Sequence, residues 1–156
     1  RAAGCEVTLL GDRLEGEARE VARDQAAQAM AIAATLRPGD APRLLLSGGE
    51  LTVTRRGKGS GGPNAEFCLA LALALDDHPQ IHAIACDTDG VDGAAEVAGA
   101  LIGPATLDGH RDAAQAALAE NDSHGFFGRI GAQVVTGPTL TNVNDFRAIL
   151  ILPPAA

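Results

Sequence analysis

The amino-acid sequence predicts an α/β domain, a layered fold in which a mixed, partly parallel sheet is flanked by helices. Short apolar runs of strand length alternate with windows of helix formers along almost the whole chain, the pattern of stacked helix and sheet layers. The strand runs are apolar enough for a sheet that is mostly buried. With 156 residues the chain has the usual size of one domain and can bury a real core. Residues 1–156 are therefore read as a single domain, with 1–43 a lead-in strand and helix and 44–152 the core that carries the motifs.

Residues 6–10 (EVTLL) form a short apolar run that ends at Gly11-Asp12, a strand followed by a turn. Helix formers dominate residues 15–36, where Val21, Ala29, Ile32 and Leu36 give a helical stripe and Pro38-Gly39 supplies the stop. Residues 43–47 and 51–55 read as two strands separated by Gly48-Gly49. The stretch LALALAL within residues 64–76 alternates with period two, but alanine is a poor strand former and the segment is long, so a buried helix is expected. A strand at 81–86, a helical turn at 94–98 and a short strand at 100–102 follow. Helices are expected at 107–120 and 123–129, and strands at 133–136 and 148–152.

The net charge of −8 argues against nucleic-acid binding, which needs a basic face to release counterions. Arg55, Arg56 and Lys58 nevertheless cluster, which suits a small anionic ligand or a solvated loop. Three cysteines make an odd set with no C-x-x-C pair, and Cys68 and Cys86 sit in apolar runs as core fillers. The longest apolar run, residues 67–75, is too short to span a bilayer, and no signal peptide is visible, so no membrane is expected as a partner and the expected address is the cytoplasm. A first residue of Arg1 instead of Met suggests a piece of something larger.

Three polar loops follow predicted strands, where ligands gather in open α/β sheets. In the first, Gly57, Gly59 and Gly62 match G-x-G-x-x-G between a strand and a helix, and the next strand ends in Asp87. This is the dinucleotide fingerprint on paper, although Asp87 lies 25 positions past Gly62 and the loop is more basic than backbone cradling requires. A mobile connection remains equally open. The second loop sets Asp87, Asp89 and Asp92 within six residues, with Gly90 and Gly93 giving tight turns. Such carboxylates suit Mg²⁺ or proton transfer, or else an Asx-turn that caps its own backbone. The third offers Thr139, Thr141, Asn142, Asn144 and Asp145 after Gly137-Pro138, for a ligand's hydroxyls or for the loop itself. Glu50, and Asn64 with Glu66 at a helix start, are further candidates. His110 and His124 read as surface or packing residues.

Taken together, SGGELTVTRRGKGSGGPNAEF, DTDGVDG, NDSHGFF and VVTGPTLTNVNDFRAILI resemble the C-terminal MOFRL domain of the glycerate 2-kinases, a family also named hydroxypyruvate reductases. The resemblance covers residues 44–152, and residues 1–43 resemble the segment leading into that domain. It implies ATP-dependent phosphorylation of D-glycerate to 2-phosphoglycerate with Mg²⁺, in a cleft shared with a larger N-terminal domain. By position, Ser47, Gly48, Gly49 and Glu50 match S-G-G-E; Gly57, Gly59, Gly61 and Gly62 match the glycine loop; Asn64 and Glu66 match N-x-E. Asp87, Thr88, Asp89, Gly90 and Asp92 match the aspartate loop, Thr136, Gly137 and Thr139 match T-G-P-T, and Asn142, Asn144 and Asp145 match N-V-N-D. Pro63 stands where many members carry Arg, Leu51 where Thr is usual and His124 where Tyr is usual.

The expected roles follow. Lys58 and Arg56 meet phosphate or carboxylate charge, helped by backbone N–H groups of residues 59–62. Asp87, Asp89 or Asp92 accepts the glycerate 2-hydroxyl proton, and Asp87 with Asp89 holds the metal. The expected partners are glycerate or hydroxypyruvate, the N-terminal kinase domain and a second copy of the chain, and the fragment alone is expected to be inactive. The alternatives are an NAD(P)H-dependent hydroxypyruvate reductase and a non-catalytic binding or interaction module.

Overall fold

A computed structural model describes residues 4–155. Arg1, whose place at the start suggested a longer protein, lies outside the described residues, as do Ala2, Ala3 and Ala156. The chain runs β1 (Glu6–Gly11), β2 (Gly16–Glu17), α1 (Ala18–Ala33), β3 (Arg43–Gly48), β4 (Leu51–Thr52), α2 (Pro63–Leu75) and β5 (Ile81–Asp87). It continues with β6 (Gly99–Ile102), α3 (Arg111–Ala119), α4 (Ser123–Ile130), β7 (Gln133–Val134) and β8 (Asp145–Ile151). Six strands form one mixed sheet in the order β1-β3-β8-β5-β6-β7, and β2 pairs with β4 in a separate parallel ribbon. Within the large sheet β1 runs parallel to β3, and β8 is antiparallel to both of its neighbours. The expected α/β class with a mixed, partly parallel sheet flanked by helices is the observed one.

α2 is the centre of the core. The LALALAL stretch is helical because Pro63 pre-sets the backbone at the first position and Asp76, at φ 54°, closes the helix in the left-handed conformation. Nearly every face of α2 is buried, since it packs on α1, on β5 and β6, and on α3 and α4. Period two carries no weight in such an element, because both phases of the pattern meet apolar neighbours. Phe67, Leu69 and Leu71 are fully buried, each contributing about 1.5–3 kcal/mol. α1 meets α2 through Ala18, Ala22, Ala26, Ala29 and Ala33, small side chains that let the two backbones come close. The buried stripe of α1 therefore differs from the one expected, with Val21 and Ile32 only flanking it.

The sheet shows strict alternation on β8. Asp145, Arg147, Ile149 and Ile151 are buried towards the helices, while Phe146 is 41% exposed on the opposite side. That opposite side carries Ile84, Leu101 and Leu150 along a shallow hollow of about 510 Å³, and Leu9 near a second of about 470 Å³. No helix among the described residues is long and apolar enough to cross a membrane.

Several expected boundaries shift for identifiable reasons. The strand at 51–55 shortens to Leu51–Thr52, because the Thr54 N–H turns to the Glu17 carboxylate and the Arg56 N–H to Asn121. No helical turn forms at 94–98; the chain doubles back in an Asp92–Ala95 bridge, with the Asp92 N–H donating to the Val97 carbonyl at 2.7 Å. The helix expected from 107 starts at Arg111, since Leu107 donates its N–H to Asp77 Oδ1 at 2.9 Å and residues 107–110 form a turn. β8 starts at Asp145, three positions earlier than expected.

Candidate functional site

The strand order brings two of the three polar loops, the second and third, together with the Gly48-Gly49 turn; the glycine loop follows β4, outside the large sheet. β8 lies between β3 and β5 and runs against both, so its first residues sit beside their last: Phe146 pairs with Gly48, and Asp145 with Asp87. The turn after β3, the loop after β5 and the segment before β8 therefore share one sheet edge. The latter two are stitched directly. Thr88 Oγ1 donates to the Asn144 carbonyl at 2.8 Å and accepts the Val143 N–H at 2.9 Å. Thr139 donates its N–H to the Asp89 carbonyl and its hydroxyl to the Thr88 carbonyl, and Asn142 Nδ2 approaches Asp89 Oδ2 at 3.4 Å. Gly90, at φ 98°, lets the loops close, because a Cβ there would lie 2.3 Å from the Gly137 carbonyl oxygen. Thr136 turns its hydroxyl back onto that same carbonyl at 2.8 Å.

The turn at Gly48-Gly49 packs on residues 12–14, with the Leu14 N–H donating to the Gly48 carbonyl at 3.1 Å. A Cβ on Gly49 would meet the Leu14 backbone at 2.3 Å. Ser47 is buried, with Gln25 Nε2 3.4 Å from its hydroxyl, whereas Glu50 points to solvent. Beneath the turn lies Arg147, completely buried. It donates from Nη1 to Asp145 Oδ2 at 3.0 Å and from Nη2 to the Gly49 carbonyl at 2.9 Å. Burial pulls the Arg147 guanidinium below its ordinary value, and the Asp145 carboxylate works against that.

Asp145 also accepts from Asn64 Nδ2 at 2.7 Å, which ties the sheet edge to the start of α2. That start is capped by Asp92, whose two carboxylate oxygens accept the N–H groups of Asn64 and Ala65 at 3.0 and 2.8 Å. Burial pushes the Asp92 carboxyl above the usual range, and those two N–H groups pull it back. His124 is buried beside it, with Nε2 3.0 Å from the Asp92 carbonyl; a carbonyl only accepts, so Nε2 carries the proton. Asp92 is thus the cap that joins the aspartate loop to α2, while Asp87 and Asp89 stand nearer the open edge.

The glycine loop is pinned to the chain's own backbone and is no open cradle. Asn121 Oδ1, in the turn between α3 and α4, accepts the N–H groups of Arg56 and Gly57 at 2.7 and 2.9 Å. The Gly59 N–H donates to the Glu120 carbonyl at 2.8 Å, and the Ser60 N–H to Asp122 Oδ1 at 3.2 Å. A Cβ at Gly57, Gly59, Gly61 or Gly62 would lie 2.3 to 2.6 Å from atoms of Glu120, Asp122, Ser123 or Asp92. The glycines are needed because the loop lies directly on the chain's own backbone. Those close approaches supply a reason for the G-x-G-x-x-G spacing that involves no pyrophosphate.

Glu66, below this loop, is completely buried between Arg19 Nε at 2.5 Å and Asn121 Nδ2 at 3.0 Å. Arg55 folds back onto the Gly59 carbonyl at 3.0 Å. The side chains of Arg56 and Lys58 are exposed and make no hydrogen bond or ion pair among the described residues.

Asp87 is only partly buried. Burial raises its carboxyl above the ordinary value, the charges of Asp89 and Asp145 add to the rise, and the Asp89 N–H opposes it. Among the described residues no group of three or more His, Cys, Asp or Glu is arranged to hold a metal. The pair Asp87 and Asp89 still fits Mg²⁺ in donor chemistry, because that ion takes one or two carboxylates and completes its shell with water and phosphate oxygens. The repulsion from Asp89, which adds to the effect of burial on Asp87, is what a cation would relieve.

Fold and loop cluster together define an α/β domain whose polar segments gather at one edge of a mixed sheet. The backbone matches the crystal structure of glycerate kinase from Thermotoga maritima with a TM-score of 0.90 at 33% identity, covering 97% of this chain and 37% of that one. The chain belongs to the MOFRL family, whose model matches residues 43–145. It is 51% identical over 154 residues to a protein of Agrobacterium vitis named "Putative hydroxypyruvate reductase", covering 96% of this chain and 35% of the relative. It is 34% identical over 152 residues to the D-glycerate 2-kinase of Thermotoga maritima, covering 96% of this chain and 36% of the enzyme. The chain thus spans about a third of the length of these relatives.

Four residues outside the sequence-derived set prove central to the geometry: Arg19, Asn121, Asp122 and Arg147. A lone Arg in the apolar run FRAILI was a visible signal for a buried, paired guanidinium. Asn121 and Asp122 fall in the NDSHGFF motif, but nothing local shows that this turn meets the glycine loop 62 to 65 residues earlier.

Proposed function

We propose that the chain is the C-terminal part of an ATP-dependent D-glycerate 2-kinase that forms 2-phosphoglycerate, its site completed by a domain outside this chain. The observation that carries the reading is the combination of a pinned loop presenting two exposed cations, Arg56 and Lys58, that have no side-chain partner among the described residues, with a carboxylate edge at Asp87 and Asp89. Phosphoryl transfer needs positioning and charge neutralisation more than covalent chemistry, and these are the parts it uses. The relatives named glycerate 2-kinase support the same reading.

In the reaction the glycerate 2-hydroxyl oxygen bonds to the γ-phosphorus as the bond to the β,γ-bridging oxygen breaks, and ADP leaves. The hydroxyl proton goes to the Asp87–Asp89 carboxylate pair at the open edge. Lys58 and Arg56 hold negative charge on the transferring group through their side chains, since the Gly59 and Ser60 N–H groups are already engaged. Mg²⁺, when bound at Asp87 and Asp89, supplies further charge neutralisation on the phosphate oxygens. Glu50, Asn142 and Asn144, all exposed, would meet glycerate hydroxyls at that edge.

An NAD(P)H-dependent hydroxypyruvate reductase has the name of the Agrobacterium relative in its favour. The glycine loop lends that reading little, because its close approaches are filled by residues 92 and 120–123. The full reading frame, supplied with D-glycerate, ATP and Mg²⁺, is expected to yield 2-phosphoglycerate. NADH oxidation with hydroxypyruvate and no phosphotransfer would overturn the kinase reading.

A further inference from the structure

We propose that Asn121 is a positioning residue for the cationic loop, joining the backbone that carries Arg56 and Lys58 to the buried pair Arg19 and Glu66. Its functional half rests on the kinase reading above; its geometric half does not. Asn121 is 4% exposed and uses both ends of its amide across the interface. Oδ1 accepts two successive loop N–H groups, from Arg56 and Gly57. Nδ2 donates to the Glu66 carboxylate and lies 3.4 Å from the Thr54 carbonyl, just upstream of the same loop.

The amide has one orientation that satisfies all of these partners, because a carboxylate only accepts and an N–H only donates. Glu66 is itself oriented by Arg19, whose Nη2 reaches the Leu118 carbonyl at the end of α3. Helix α1, helix α2 and the turn between α3 and α4 therefore all converge on one side chain. The residue sits at φ 54°, a backbone conformation that asparagine and glycine adopt more readily than other residues. Lys58 follows directly after the two held amides. The path of its backbone is set by the amides held before and after it, at Asn121 and at the Glu120 carbonyl, since its own side chain makes no hydrogen bond or ion pair among the described residues.

Two variants separate positioning from general stability. Asn121→Gly removes the amide while keeping a residue that tolerates the backbone angle. Asn121→Asp with Glu66→Gln exchanges acceptor and donor across the pair and keeps the charge count. Hydrogen exchange followed by mass spectrometry on this chain should show peptides covering residues 55–61 exchanging roughly tenfold faster or more in Asn121→Gly, with β5 and β8 unchanged. The exchanged pair should restore most of the protection. Unchanged exchange at 55–61, or an equal rise everywhere, would overturn the assignment, as would failure of the exchanged pair to restore protection.

In the full reading frame Asn121→Gly should lower kcat for 2-phosphoglycerate formation while KM for D-glycerate stays within a few fold, and an unaltered kcat would overturn the functional half. If the unsubstituted protein forms no 2-phosphoglycerate, the kinase reading falls, and the exchange data still decide the geometry.

Discussion

Replacing Gly57 with alanine tests whether the glycine loop is shaped by its own chain. An ideal Cβ there would lie 2.3 Å from both the Cα and the carbonyl oxygen of Glu120. These are backbone atoms, so no side chain can swing aside, and the loop must lift from the turn between α3 and α4. Lifting breaks the Arg56 and Gly57 N–H bonds to Asn121 and the Gly59 N–H bond to the Glu120 carbonyl. At about 1 kcal/mol each, the loss is about 3 kcal/mol. With an m-value of roughly 2 kcal/mol/M, the urea midpoint should fall by about 1.5 M. Gly109→Ala is the control: a Cβ there meets nothing within 4 Å, and only its φ of 69° opposes the change, at about 1–2 kcal/mol. A Gly57→Ala protein within about 0.5 kcal/mol of the parent would refute the packing explanation for the glycines.

Other outcomes follow from the same geometry. Arg147→Met should cost about 3–5 kcal/mol in denaturant unfolding, because it strands the buried Asp145 carboxylate and the Gly49 carbonyl, and adding Asp145→Asn should recover much of it. Asp92→Ala should cost about 2 kcal/mol by uncapping α2, seen also as faster exchange of the Asn64 and Ala65 amides. Asp87→Asn should raise the thermal midpoint at neutral pH. The folded protein holds the Asp87 proton more tightly than the unfolded chain, so ionisation opposes folding, and the advantage of Asn should vanish as pH falls through the raised carboxyl value. A gain that grows on acidification would contradict that sign.

Much of the fold was legible because the strong signals were local. The helix-forming window gave α1, and length with alanine content correctly outweighed the period-two pattern of α2. The misplaced boundaries at 51–55 and 107 are fixed by partners distant in sequence, Glu17 with Asn121 and Asp77. The one at 94–98 is fixed by a local bond, from the Asp92 N–H to the Val97 carbonyl, in a loop whose Asp92 also caps α2. The loops of the site could be found from their turn residues, but the distinction between groups that are spent and groups that are free could not. Asp92 and Glu66 resemble Asp87 and Glu50 in sequence; burial alone separates a cap and a paired core acid from carboxylates at an open edge. The glycine loop shows the same limit, since glycine permits close approach without naming what approaches.

The most direct test of the account is an enolase-coupled assay for 2-phosphoglycerate on the full reading frame, with D-glycerate, ATP and Mg²⁺, comparing the parent with Lys58→Met. The parent should form product, and Lys58→Met should be slower by about 100-fold or more while remaining folded, because one preorganised charge on the transferring phosphoryl group is lost. Absence of product from the parent, or a Lys58→Met rate equal to it, would contradict the assignment of this loop to phosphoryl transfer.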